Sequence, residues 1–231
     1  MQARTEHRTA DRRLLIADAA IELVAAEGIR ALTHRAVDSA MALPPGSTSY
    51  YFRTKRALLE AMVTHITEVT RADFTTTFTE PPPTHRPRQE ILDELAAGIG
   101  AWLDRMLAHR RAHLVVRYAL TIELSADPEL HARLVGSLFS HARAKTLLEQ
   151  LGADEPDTAA ADFIAVIEGI TFDRFAGARA DLPAGTPQSA AQLAGVLRNY
   201  LGGALCTPLD PAAMHRELHG RGKRREDLSA M

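Results

Sequence analysis

Residues 33–58 read Thr33-His34-Arg35-Ala36-Val37-Asp38-Ser39-Ala40-Met41-Ala42-Leu43-Pro44-Pro45-Gly46-Ser47-Thr48-Ser49-Tyr50-Tyr51-Phe52-Arg53-Thr54-Lys55-Arg56-Ala57-Leu58. Two short helical patterns stand on either side of a punctuated turn. Thr33 is a good N-cap for the first, whose inward face would be Ala36, Val37, Ala40 and Met41. Pro44-Pro45-Gly46 ends it and opens a second, very short helix, because Pro suits a helix start. A further helix begins near Thr54 and carries Ala57, Leu58, Ala61 and Met62 on its apolar stripe. Upstream, Ile16, Ala19, Ala20, Leu23 and Val24 recur at i, i+3, i+4, i+7 and i+8, an amphipathic helix that Gly28 stops. Two short helices across a tight turn, leaning on a longer first helix, describe a helix-turn-helix reader of DNA.

Charge agrees with this reading. Between positions 28 and 56, Arg30, Arg35, Arg53, Lys55 and Arg56 face Asp38 alone, a net +4, so a chain of total charge −2 carries −6 elsewhere. Affinity for nucleic acid depends on where positive charge lies, and the acidic remainder limits non-specific binding. Ser47, Thr48, Ser49, Tyr50 and Tyr51 supply hydroxyls small enough or long enough to meet base edges and phosphates. The alternative, a solvated charged turn, leaves Tyr50 and Tyr51 unexplained.

The rest of the 231-residue chain is read from its prolines. The blocks between them are rich in Ala, Leu, Arg and Glu, without the alternation of a strand, so the fold is expected to be all-α. After a loop over 75–87, helices are expected over 88–112, 113–124, 128–151, 156–179 and 187–205, with a polar tail at 211–231. With 46% apolar residues the chain can bury a full core, and one cysteine, Cys206, excludes an intrachain disulfide and any Cys-based zinc site. No stretch approaches the ~18 consecutive apolar residues of a membrane helix. The first residues lack the apolar core of a signal peptide, so a cytoplasmic location is expected.

The stretches Arg12-Arg13-Leu14-Leu15-Ile16-Ala17-Asp18-Ala19-Ala20, Leu32-Thr33-His34-Arg35-Ala36-Val37, Pro45-Gly46-Ser47-Thr48-Ser49-Tyr50-Tyr51-Phe52 and Thr54-Lys55-Arg56-Ala57-Leu58-Leu59 resemble the DNA-binding segment of the TetR family of one-component regulators. The resemblance covers about residues 10–62. It implies an N-terminal three-helix DNA-binding domain at 1–62 and a larger helical effector-binding and dimerisation domain at 63–210. It also implies a repressor that binds a palindromic double-stranded operator as a dimer and is released by a small-molecule effector. Thr33 would cap the second helix beside a phosphate, and Arg35 would reach base edges. Pro45, Gly46 and Ser47 would lie at the bases, with Thr48 at the groove floor or wall. Tyr50, with Tyr51 beside it, and Lys55 would hold phosphates. Two departures stand out: Ala42 occupies a turn position where the family usually has Gly, and Pro44 replaces the usual hydroxylic cap of the recognition helix.

In the larger domain the small residues of the last two helices (Ala159, Ala160, Ala161, Ala165, Gly169, Ala176 and Gly177; Ala190, Ala191, Ala194, Gly195, Gly202 and Gly203) suit pairing of two copies, the alternative being an Ala-rich intramolecular core. Bulky or charged residues in apolar helices are candidate effector contacts: Trp102, Met106, Arg117, Tyr118, Glu123, Phe139 and Phe172. A buried Arg117 would want Glu123, Glu168 or an anionic ligand as partner. Two histidine pairs, His109/His113 and His215/His219, have the i, i+4 spacing that can chelate zinc or nickel, but exposed helix-face histidines are the simpler account, and no metal or cofactor is expected. No catalytic elbow, P-loop or dinucleotide fingerprint occurs, so an enzyme is not expected. Apart from the ligand-controlled repressor, an architectural DNA-binding protein without an effector and a metal-responsive regulator using His109/His113 remain as alternatives.

Overall fold

The computed structural model describes residues 2–77 and 86–205, and among them every regular element is helical. The N-terminal elements are α1 (Gln2–Glu27), α2 (His34–Ala40) and α3 (Ser47–Tyr51), followed by the long α4 (Lys55–Thr77). Beyond them come α5 (Arg88–His109), α6 (Arg111–Glu123), α7 (Pro128–Leu138), α8 (His141–Gln150), α9 (Pro156–Ala176) and α10 (Pro187–Ala204). Cys206, the pair His215/His219 and the expected tail lie outside the described residues.

Starts and stops follow local chemistry. Thr33, Asp127, Ser140 and Thr186 each accept a hydrogen bond from a backbone N–H of the helix they open, and Pro128 and Pro187 take first-turn positions. The loop expected from 75 starts later, because α4 continues through Thr77. The single helix expected over 128–151 is two helices. Phe139 turns extended (φ −144°, ψ 134°) and Ser140 caps a new start. The break lets the Phe139 ring enter the core edge-on to Phe74 and Phe163, which a continuous helix would not permit. Arg110 likewise separates α5 from α6, so His109 and His113 do not share a helix face.

Two apolar clusters organise the packing. One joins Ile16, Ile21, Val37, Phe52, Leu58 and Met62 to Val116, Leu120, Leu130 and Leu134, so α6 and α7 complete the core of the N-terminal helices. The boundary expected at 62 falls inside α4. The other cluster joins Ile99, Trp102 and Leu103 of α5 to Phe163 and Ile167 of α9 and Leu193, Leu197 and Leu201 of α10. Burying each such side chain contributes about 1.5–3 kcal/mol.

α5 and α10 run antiparallel. Gly185, just before α10, donates to Asp104 near the end of α5 at 3.0 Å, while Arg88 at the start of α5 reaches the Leu205 carbonyl at 2.9 Å. They touch at Gly100, where an added Cβ would lie 2.7 Å from the Ala194 nitrogen and 2.8 Å from the Ala190 oxygen. Some of the small residues of α10 therefore serve intramolecular packing.

Candidate nucleic-acid interface

The turn between α2 and α3 closes α2 by paired backbone bonds. Leu43 N–H donates to the Asp38 carbonyl at 2.8 Å and Ala42 N–H to the Ser39 carbonyl at 3.1 Å. This is a Schellman closure, whose left-handed residue is usually Gly. Here it is Ala42, at φ 50°, among the described residues the one non-glycine with positive φ. The backbone thus keeps the strained geometry although the residue that would relieve it is absent, a cost of about 1 kcal/mol.

The start of α3 is built by two devices. The Ser47 N–H closes on the Pro44 carbonyl at 3.1 Å, with Pro45 and Gly46 as the central pair. Gly46 sits at φ 90°, ψ −4°, the third-position geometry of a type II turn that favours glycine. Pro44 offers no side-chain acceptor, and Asp38 of α2 supplies one from across the turn. Its carboxylate accepts from Gly46 N at 2.8 Å, Thr48 N at 2.7 Å and Thr48 Oγ1 at 2.6 Å. Burial pushes the Asp38 carboxyl up, but the bonds from Thr48 and Gly46 outweigh it and hold it below the ordinary value. The far end of α3 is held by Arg13 of α1, which donates to the Tyr51 carbonyl at 2.7 Å and lies 4.3 Å over the Phe52 ring.

This frame sorts the residues that sequence reasoning singled out. Thr33 caps α2 through the Ala36 N–H at 3.1 Å. Arg35, Pro45, Gly46, Tyr50 and Lys55 are exposed, Tyr50 at 79%. Ser47 and Tyr51 are half-buried, with Tyr51 edge-on to Tyr50 and packed on the core. Thr48 differs from its expected place at the groove floor: it is fully buried and its hydroxyl is committed to Asp38, so it holds α3 from behind. Ala40, expected inward, faces solvent. Arg56 meets Asp127 at 3.1 Å and Glu129 at 3.4 Å, which ties α4 to the start of α7 and removes one positive charge from the open face. Asp38 and Arg13 are positioning residues that sequence reading missed. The one signal for Asp38 was a lone acid inside a basic segment.

Two family models match this chain: residues 16–62 match bacterial regulatory proteins of the tetR family, and residues 90–203 match the tetracyclin repressor-like C-terminal domain. The chain belongs to the TetR family. It is a DNA-binding transcriptional regulator, as the resemblance implied. Among solved structures, a transcriptional regulator from Rhodococcus sp. Rha1 shares 19% identity and a TM-score of 0.64, over 85% of this chain and 98% of its own. The ketosteroid transcriptional regulator KstR2 of Mycobacterium tuberculosis shares 19% at a TM-score of 0.56, over 83% and 94%. The multidrug binding protein EbrR, complexed with malachite green, shares 26% at 0.56, over 82% and 97%. No curated protein matches.

The candidate effector residues of this TetR-family chain fall into three places. Trp102 and Met106 are buried in the α5 core, with Phe74 edge-on to both Trp102 and Phe139. Arg117 is buried and fully engaged: Nη1 and Nη2 donate to the two Glu168 carboxylate oxygens at 2.8 and 2.7 Å, and Nε to Ser137 Oγ at 2.8 Å. Its partner is therefore Glu168. The Tyr118 hydroxyl donates to the same carboxylate, and burial together with Glu168 drives its pKa well up. Phe172 is exposed beside Tyr118, and Glu123 is exposed at the end of α6.

A cavity of about 230 Å³ opens between α4 and the α7–α8 junction, lined by residues including Thr67, Thr70, Arg71, Phe74, Phe139 and Arg143. A second cleft of about 360 Å³ shares Thr67, Arg71 and Gly136 with it. Of the expected effector residues only Phe139 is in either wall. Sequence reasoning missed the α4 wall, whose signal was Thr64, Thr67 and Thr70 at intervals of three. The hydroxyls of these threonines bond back to the carbonyls of Glu60, Val63 and Ile66 at 2.7–2.8 Å. The pair His109/His113 is split: His109 is exposed, whereas His113 is buried, and burial followed by the neighbouring His65 lowers its pKa. Among the described residues no helix is long and apolar enough to cross a membrane.

Proposed function

We propose that this protein is a dimeric cytoplasmic repressor that reads a palindromic operator and leaves it when a small molecule fills the α4–α7 cleft. The observation that carries the reading is the Asp38 clasp, which pins α3 through the buried Thr48 while Arg35, Tyr50 and Lys55 stand exposed. Arg35 is suited to guanine edges because its planar fork can bond them in pairs; Lys55 and Tyr50 are suited to phosphates. Pro45, Gly46 and Ser47 let the backbone of the turn approach the bases.

Pairing of two copies through α9 and α10 is supported by an exposed stripe of small and apolar residues. Ala161, Ala165, Gly169, Phe172 and Ala176 recur at helical spacing along the free side of α9, and Ala191 and Gly203 are open on α10. Two-fold pairing would present two copies of α3 about one DNA turn (~34 Å) apart. Arg71 and Arg143 beside the Phe74 ring favour an effector with an anionic group on an aromatic or apolar body. Such a molecule releases DNA only if it binds the non-operator conformation more tightly than the operator-bound one. Selection from a random pool of duplexes with the purified protein is the direct test. An enriched palindrome is the expected result, and no enrichment would sink the sequence-specific reading in favour of an architectural one.

A further inference from the structure

We propose that Asp18, His65 and His113 form a divalent transition-metal site of the zinc class that clamps α1 to α4 and α6. The three side chains come from three different helices, and their ligand atoms all lie within 4.8 Å of one another. His65 Nε2 is 3.4 Å and His113 Nε2 3.8 Å from the same Asp18 oxygen, Oδ1. A tetrahedral zinc with bonds of 2.0–2.1 Å separates its ligands by about 3.3 Å, so small side-chain rotations suffice to close the set.

The burial of the trio is graded. The His113 side chain is 8% exposed, that of His65 18% and that of Asp18 50%. The site has a closed floor and one open side, which gives an ion an entry path and leaves a fourth position for water. His113 Nε2 is buried with no hydrogen-bond partner, an arrangement that native proteins rarely leave unexplained. A metal bond to that nitrogen accounts for it. The nearby Arg110 is paired with Asp73 at 3.2 Å, so its charge is offset where a cation would enter. The two imidazoles are borderline ligands, and with one carboxylate beside them they favour zinc, nickel or cobalt over calcium or magnesium.

The consequence for DNA rests on the repressor reading above: a filled site ties the first helix of the DNA reader to the regulatory helices and so biases its orientation. Tag-free full-length protein, stripped with a chelator, is titrated with ZnCl2 and with CoCl2. One equivalent per chain is expected, with the visible absorption of tetrahedral cobalt and a rise in Tm of about 5 °C at saturating zinc. D18N, at a half-exposed position, and H65Q should each weaken binding tenfold or more, whereas H215A/H219A should bind like the parent. Full cobalt absorption in D18N and H65Q, its loss in H215A/H219A, or no binding at micromolar metal would overturn the site. The palindromic duplex recovered by selection supplies the second readout, with a zinc-dependent change in its affinity of threefold or more in the parent and none in D18N. An unchanged affinity at full occupancy would overturn the coupling. If no DNA binds at any zinc level while the cobalt spectrum is intact, the repressor reading fails and the metal site stands.

Discussion

The reader and the regulatory helices are held together by different means. Around α2 and α3 the decisive contacts are polar and aimed: one carboxylate serving Gly46 and Thr48, one guanidinium on the Tyr51 carbonyl, and a backbone closure at Ala42. Around α5, α9 and α10 the contacts are mostly apolar, with polar ties at the ends of the α5–α10 pair (Asp104 with Gly185, Arg88 with the Leu205 carbonyl) and Arg117 with Glu168 pinning α6 to α9. A five-residue helix has too few side chains to be oriented by packing alone, so its pose has to come from directed hydrogen bonds. Helices of about twenty residues can rely on interdigitated apolar surface. The reader should therefore answer to single polar changes, and the larger unit to changes of volume.

The largest expected effect tests the second half of that contrast. Gly100→Ala drives a methyl into the α10 backbone and should cost about 3 kcal/mol, read as a lower Tm of the whole chain. A neutral outcome would mean that α5 and α10 can separate freely. Asp38→Ala is next, at about 2–3 kcal/mol, because it orphans the buried donors of Thr48 and the part-buried Gly46 N–H. Specific DNA binding should be lost while the far-UV helical signal stays. The same group makes the reader sensitive to acid. Its carboxyl sits below 3.8 when folded, so its contribution is present above that value and disappears as pH falls through the lowered pKa. Tyrosine fluorescence should therefore change below about pH 4 before the regulatory core melts.

Smaller effects separate base reading from phosphate holding. Arg35→Ala should weaken operator binding by about 1–2 kcal/mol and relax base choice. Lys55→Ala should weaken all duplexes alike and reduce the salt slope by about one. Equal behaviour of the two variants would break the proposed division of labour. The smallest change goes upward. Ala42→Gly should add about 1 kcal/mol of stability by relieving the left-handed backbone, without altering base preference.

What sequence reading could see follows the same contrast. The Thr33 cap, the stop at Gly28 and the apolar stripe of α1 depend on residues within a turn or two of each other, so their pattern is visible in the chain. Asp38 acts on Thr48, ten positions away across a turn, and carries no periodic mark. The cleft joins α4 to α7 and α8, elements about seventy residues apart, so bulky residues inside α5 were poor guides to it. Phe139 broke a helix without Pro or Gly because tertiary burial outweighed local propensity. The His109/His113 spacing pointed to a shared face, yet the break at Arg110 sends His113 toward Asp18 and His65.

α4 has one further consequence. It runs unbroken for 23 residues, about 34 Å at 1.5 Å per residue, with Lys55 at its first position and Phe74 near its last turn. Such a rod behaves as a lever. A tilt of about 5° about the end that borders the cleft carries Lys55 through about 3 Å, enough to exchange a hydrogen bond for a gap. Under the proposed function, a ligand that tilts the rod from beside this pivot would be felt, amplified, where the chain would grip a phosphate.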